Sequence, residues 1–184
     1  MAKSPSGAVT FLLAEGRRMM RLSSELPPDL FDALLSEYQR LLRRLFEEMG
    51  GRDVEVSGDS ALAAFPAAKQ AALAAVAAQS AVAAHEWPQG LRPAISVGLH
   101  SEQAGIGSIG AAAARCSELC DAAEGGQIFM SRETANLLQD EDLGELSIRD
   151  LGEQQTRRTQ RVVRAHELVV PRVAETTLRT SRPL

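Results

Sequence analysis

The stretch over residues 50–65 constrains the fold most, because it predicts a tight β-hairpin. Val54 and Val56 alternate with polar neighbours before the turn, and the residues after it are again apolar. Ser57-Gly58-Asp59-Ser60 has turn composition, in which glycine is free to adopt positive φ. A carboxylate at such a tip is exposed and rigidly held. Asp59 therefore has a position at which a metal or phosphate ligand could sit. An ordinary turn aspartate has the same position, and this stretch alone favours that simpler interpretation.

Patterns on both sides of the hairpin predict a sheet with long helices. Residues 8–14 are an apolar run of strand length, and a helix with one apolar face begins at Pro27-Pro28-Asp29 and stops at Gly50-Gly51. The other predicted elements are helices over 19–24, 67–86 and 111–123 and after Ser131, strands over 93–100, 127–130, 143–151 and 161–170, and loops over 87–90 and 101–110. The first part of this order is a βαββαβ unit, the ferredoxin-like plan of an α+β fold with helices on one face of the sheet.

Length and composition predict one domain with short ends. The chain has 184 residues, of which 45% are hydrophobic and 4% aromatic, so alanine must allow close helix–sheet contact. We expect a polar lead over 1–7, the domain over 8–170 and a flexible tail over 171–184.

Charge and cysteine content limit the partners and the cellular compartment that we expect for this chain. A formal net charge of −4 argues against a nucleic-acid surface, and no run approaches the ~20 apolar residues needed to span a membrane. The beginning of the sequence has no apolar signal-peptide core, and Cys116 and Cys120 lie four residues apart on a predicted helix. We therefore expect a cytoplasmic protein with reduced core thiols, or a segment of a larger signalling chain.

Several short strings are spread along residues 8–170. In chain order they are Val9-Thr10-Phe11-Leu12, Gly50-Gly51-Arg52, Gly58-Asp59, Val97-Gly98-Leu99-His100, Gly110, Gly125-Gly126-Gln127 and Asp150-Leu151-Gly152-Glu153. None is specific alone, but their joint spacing resembles the class III adenylyl/guanylyl cyclase catalytic domain. The resemblance implies a head-to-tail dimer, formed with a second copy or another cyclase homology domain. It also implies purine nucleotide at the interface, with magnesium or manganese if the metal site is retained.

The resemblance places the metal ligands at Glu15 and Asp59. Asp59 matches the second metal aspartate of the family, and an ungapped alignment puts Glu15 at the first. The extra methylene of glutamate shifts the carboxylate by about a bond length, which matters for the strict octahedral geometry of magnesium. A two-residue deletion would instead put Leu13 there and remove the ligand. We prefer the ungapped alignment because Arg21-Leu22 then also match.

The resemblance also implies nucleotide contacts at Glu55, Arg17 and Arg157. Glu55 falls at the purine-selecting position, where guanylyl cyclases place a glutamate that accepts hydrogen bonds from guanine; an exposed strand residue is the alternative. Arg17-Arg18 enter the loop that cradles phosphate in the family, and a solvated basic pair is the alternative there. Arg157 or Arg158 stands near the phosphate-facing lysine of the family.

Counted back from Gly125-Gly126-Gln127, Ala114 and Glu118 occupy the positions of the catalytic asparagine and arginine of the family. A methyl group forms no hydrogen bond with a ribose, and a carboxylate repels the triphosphate that a guanidinium stabilises. Loss of such an arginine commonly costs about a thousandfold in rate. Arg115 is the nearby cation, three residues from Glu118.

No catalytic residue implied by the resemblance is therefore intact. We predict a degenerate cyclase homology domain that serves as a signalling, nucleotide-binding or protein-interaction module. One alternative is half of a heterodimeric purine nucleotide cyclase, supplying the carboxylates of Glu15 and Asp59. The other is a weak manganese-dependent guanylyl cyclase, because manganese tolerates looser geometry than magnesium.

Overall fold

A computed structural model of the chain describes residues 7–17, 19–103 and 109–171, with Met20 described by its backbone alone. The elements in chain order are β1 (Ala8–Arg17), α1 (Met19–Glu25), α2 (Pro28–Glu48), β2 (Arg52–Ser57), β3 (Ser60–Phe65), α3 (Ala68–Ala84), β4 (Ala94–Gln103), α4 (Ile109–Ala122), β5 (Ile128–Met130), α5 (Arg132–Leu138), β6 (Ser147–Gln155) and β7 (Val162–Val169), with a 3-10 turn at Pro88–Gly90. The predicted lead over 1–7, except Gly7, and the predicted tail, except Pro171, lie outside the described residues. In the described part of the chain, no helix combines the length and hydrophobicity needed to cross a membrane.

The described strands form one sheet in the order β2-β3-β1-β4-β5-β7-β6. Its first four strands are antiparallel neighbours, with Leu12 of β1 opposite Ala63 of β3 and Leu99 of β4. β5 runs parallel to β4, and the hairpin of β6 and β7 extends the sheet beyond it. The predicted α+β fold with a ferredoxin-like βαββαβ core is confirmed.

Two strands continue past their predicted ends because a neighbouring strand pairs with them. β1 extends through Glu15 to Arg17, and Arg17 lies opposite Ala94 of β4. The start of charged sequence at Glu15 therefore marks a change of environment rather than the end of the ladder. β4 likewise continues through residues 101–103, where a loop was predicted; that prediction is wrong, since these residues pair with β1. The Thr10 and Ser101 hydroxyls are hydrogen-bonded at 2.8 Å across this pair.

Helices cover both faces of the sheet. α2 and α3 pack on the face that carries Leu12 and Ala14, as the βαββαβ plan predicts. α4 packs on the other face against Phe11 and Leu13, so the expectation of helices on one face is wrong beyond the βαββαβ unit. A Cβ built on Gly98 of β4 would lie 2.2 Å from a backbone oxygen of α4, so only glycine permits this approach.

The two cysteines of α4 are free, buried thiols at this contact, which confirms their prediction as core residues. The Cys116 Sγ donates to the Phe11 carbonyl at 3.5 Å, and the Cys120 Sγ donates to the Leu13 carbonyl at 3.1 Å. Burial raises the pKa of both thiols, that of Cys116 to about 12. Both thiols are therefore protonated and unreactive at neutral pH.

Candidate functional site

The hairpin tip and the end of β1 bring Glu15 and Asp59 together. Glu15 lies opposite Ser60 in the sheet, directly beside the turn that holds Asp59. The Asp59 carbonyl accepts hydrogen bonds from the Gly16 amide at 2.8 Å and the Tyr38 hydroxyl at 3.0 Å. The backbone of the turn is thus fixed from β1 and from α2, and both residues implied as metal ligands sit at adjacent strand ends.

The carboxylate of Glu15 is already bound by side chains of this chain. Its two oxygens lie 3.3 and 3.1 Å from Nη2 of Arg158. The Ser117 hydroxyl of α4 donates to the same carboxylate at 3.1 Å. With 12% of its side chain exposed, Glu15 has little remaining surface for another ligand.

Arg158 also holds Asp121, a buried acid of α4. Its Nε lies 3.0 Å from Asp121 Oδ1, and its backbone amide donates to Oδ2 at 2.8 Å. The Asp121 side chain is 5% exposed. Partial burial of the guanidinium opposes ionisation, but Glu15 and Asp121 raise the pKa of Arg158 overall. One cation therefore bridges two acids from different elements.

The β6–β7 turn, residues 156–161, is joined to α4 and to the segment after it by further ion pairs. Arg157 lies 2.5 Å from Glu124 and donates to the Ala123 carbonyl at 2.9 Å. Arg161 lies 2.9 Å from Glu118. We did not predict this contact. The sequence did contain a signal for these ion pairs, namely three acids at intervals of three residues and a later cluster of three arginines. The acids are Glu118, Asp121 and Glu124, and they pair with Arg161, Arg158 and Arg157, respectively.

Ala114 and Glu118 lie on α4, beside this turn. Ala114 is exposed. The carboxylate of Glu118 contacts Arg161 and also Arg115, the latter at 3.2 Å. Arg115, the nearby cation, is therefore paired with the acid that the resemblance places at the arginine position of the family.

Of the nucleotide contacts implied by the resemblance, Arg17 and Arg157 lie together and Glu55 lies apart. Arg17 and Arg157 line a cleft of about 1040 Å³, which Arg158 and Arg92 also line. Glu55 is exposed on β2, the strand at the edge of the sheet. Arg18 lies outside the described residues.

The residues present fit a two-metal site poorly. Within residues 7–17, 19–103 and 109–171, no cluster of three or more His, Cys, Asp or Glu side chains is placed to hold a metal ion. At Glu15, a divalent ion would have to displace a guanidinium that also holds Asp121. Magnesium sheds its water reluctantly and demands near-octahedral oxygen ligands, so such a competition disfavours it.

The surroundings of Asp59 disfavour its charged form. Partial burial raises the pKa of Asp59, against the smaller opposing effects of its own backbone amide, the Ser60 hydroxyl and the charge of Arg158. The folded state thus binds the proton of Asp59 more tightly than the unfolded chain, whose aspartate pKa is about 3.9. The stability linked to this group is therefore fully present below that value and is lost as pH rises through the folded pKa.

We expect Asp59→Asn to raise the free energy of unfolding relative to the wild type at pH 7, because the amide carries no charge to desolvate. The advantage should shrink as pH falls from 7 through the raised pKa of Asp59, where the carboxylate itself becomes protonated. Urea unfolding of both proteins across this range measures it. Asp140→Asn, at an exposed loop position, is the control and should show no such trend; equal behaviour of the two variants would contradict the prediction.

No protein-family model and no curated protein matches this sequence, but solved structures do. An adenylate cyclase of Trypanosoma brucei, described in its monomeric state, is 20% identical with a TM-score of 0.73, covering 91% of this chain and 91% of that one. The guanylate cyclase domain of RhGC from Catenaria anguillulae, in complex with GTP, is 18% identical with a TM-score of 0.73, covering 90% and 97%. The adenylyl cyclase CyaB of P. aeruginosa is 22% identical with a TM-score of 0.67, covering 94% and 98%.

Proposed function

We propose that this chain, which has the fold of the class III adenylyl/guanylyl cyclase catalytic domain, does not cyclise ATP or GTP by itself. It is a cytoplasmic signalling module that pairs with a second copy or another cyclase homology domain. Through the dimer face or the nucleotide cleft, it binds a partner protein or a purine nucleotide. The observation that carries this proposal is the pairing of Glu118 with Arg115 and Arg161.

The charge at this position argues against catalysis. Cyclisation builds negative charge on phosphate oxygens, and a fixed guanidinium is the group that stabilises such charge. Glu118 has the opposite charge, and it neutralises the two arginines within its reach. Removing a transition-state arginine costs about a thousandfold or more, and an acid in its place adds repulsion. Ala114 supplies no amide to orient a ribose.

A symmetric homodimer of this chain would lack the same catalytic groups in both of its sites. Each protomer would present the same acid and the same methyl group, so both interfacial sites would lack the asparagine and the arginine. A heterodimer would differ, because its other chain could provide those two residues while this one provides Glu15 and Asp59. Their position at adjacent strand ends favours that alternative, whereas the pairing of Glu15 with Arg158 opposes it.

A cyclase assay tests the proposal. Purified chain is incubated with ATP or GTP and with Mg²⁺ or Mn²⁺, and 3′,5′-cyclic product is measured by chromatography beside an active cyclase domain. We expect no product from the lone chain. Product from GTP with Mn²⁺ would overturn the proposal in favour of a weak guanylyl cyclase. Product only after addition of a cyclase domain with intact asparagine and arginine would establish the heterodimer instead.

Titration calorimetry with ATP and GTP then separates the two forms of the module. A saturable heat of binding would identify a nucleotide-binding domain. No heat of binding would favour a domain that binds a partner protein. Arg17→Gln, in the cleft, should weaken any nucleotide binding because it removes a cation from the lining. Arg40→Gln on α2 is the matched control outside the cleft.

A further inference from the structure

We propose that Arg158 is a built-in cation that takes the place of a metal ion at Glu15, so that this site binds divalent ions only when the guanidinium is removed. The contacts of Arg158 carry this inference, which rests on the proposed function in that a chain without a metal ion at Glu15 lacks part of the chemistry of cyclisation. The β6–β7 turn closes the site from within the same chain.

The buried acids require a cation. The side chains of Glu15 and Asp121 are 12% and 5% exposed and are joined through one guanidinium. Asp59 lies beside Glu15 at the neighbouring strand end, and the charge of Arg158 acts on its carboxylate. Carboxylates grouped in this way either take up protons or hold a positive ion. In this chain the positive ion is a side chain.

The guanidinium is fixed in place by its own turn. The Thr156 amide donates to the Arg161 carbonyl at 2.8 Å, and the hydroxyls of Thr156 and Thr159 are hydrogen-bonded at 2.8 Å. Arg157 and Arg161 pair with acids of α4 and of the segment after it, on either side of Asp121. Because the turn is pre-organised, Arg158 occupies the site without the entropic cost that a free ion pays on binding.

The oxygen atoms left by removal of Arg158 suit a hard cation. Glu15 and Asp121 supply carboxylates, and the Ser117 hydroxyl, now 3.1 Å from Glu15, supplies a neutral oxygen. Mg²⁺ and Mn²⁺ prefer such ligands and complete their shells with water. Lysine at position 158 would keep a positive charge there and should exclude the ion.

The test is Mn²⁺ binding, followed by the electron paramagnetic resonance signal of the free ion. We expect Arg158→Gln to bind one Mn²⁺ at least about tenfold more tightly than the wild type, and its melting temperature to rise with added Mn²⁺. Arg158→Lys should behave like the wild type. Arg161→Gln is the matched control, because it breaks an ion pair of the same turn with a different acid, Glu118, and it should gain no Mn²⁺ binding.

Three results would overturn the inference: Mn²⁺ binding by the wild type as tight as by Arg158→Gln, no gain in the folded variant, or a gain that survives the added change Glu15→Gln. If Arg158→Gln is unfolded without metal, refolding by Mn²⁺ in circular dichroism supports the inference, and failure to refold overturns it. The readout is independent of cyclic nucleotide. A chain that cyclises GTP can still pass this test, and a chain that does not can still fail it.

Discussion

Gly98→Ala is expected to separate α4 from the sheet and to lower the free energy of unfolding by about 3 kcal/mol or more. The added Cβ would lie 2.2 Å from the Cys116 carbonyl oxygen and 3.1 Å from the Leu119 Cβ. A side chain could rotate away from such a clash, but the Cys116 oxygen belongs to the helix backbone, so the whole helix must move. Against a typical total stability of about 5–15 kcal/mol, this loss is large.

Urea unfolding measures the loss, and a thiol reagent reports its origin. Cys116 and Cys120 are buried on the face of α4 that packs against the sheet, so they should react slowly in the wild type and faster in Gly98→Ala under native conditions. Gly58→Asn is the control: Gly58 has φ of +55° with nothing near its Cβ position, and asparagine tolerates that backbone. Gly98→Ala with wild-type stability and protected thiols would refute the account of α4 packing.

Phe46→Ala should cost about 3–5 kcal/mol, because it removes a fully buried ring and leaves a cavity. Phe46 has no exposed surface and packs edge-on against Phe65, with ring centroids 6.3 Å apart. Its carbonyl also accepts the Gly51 amide at 2.8 Å, at the point where the chain turns from α2 into the hairpin. The cavity therefore opens under the hairpin that carries Asp59.

The measurement is again urea unfolding, with Leu73→Ala as the control. Leu73 is 40% exposed on α3, so its truncation should cost less than about 1 kcal/mol. Equal losses in the two variants would contradict the assignment of Phe46 to the core. A change in the dependence of unfolding on urea concentration would indicate an altered denatured state, and the two losses would then be compared at the midpoints.

Local patterns were enough to predict which elements form and in what order. The alternation around Val54 and Val56 and the turn residues up to Ser60 specified the hairpin, since such preferences act between near neighbours. Strand ends were harder to predict, as β1 and β4 show, because a partner strand decides how far a ladder continues. The placement of Ala114 and Glu118 at the asparagine and arginine positions of the family stays a prediction of the resemblance, which needs only the residue types at those positions.

The sequence by itself thus determined the order of elements, the βαββαβ core and the chemical identity of each implied site position. Tertiary structure alone decided that α4 covers the second face and that Arg158 reaches Glu15 from 143 residues away. The physical reason is the distance along the sequence over which each interaction acts. Backbone preferences and hydrophobic periodicity act within a few residues, whereas an ion pair depends on where two distant segments meet after the whole sheet has formed.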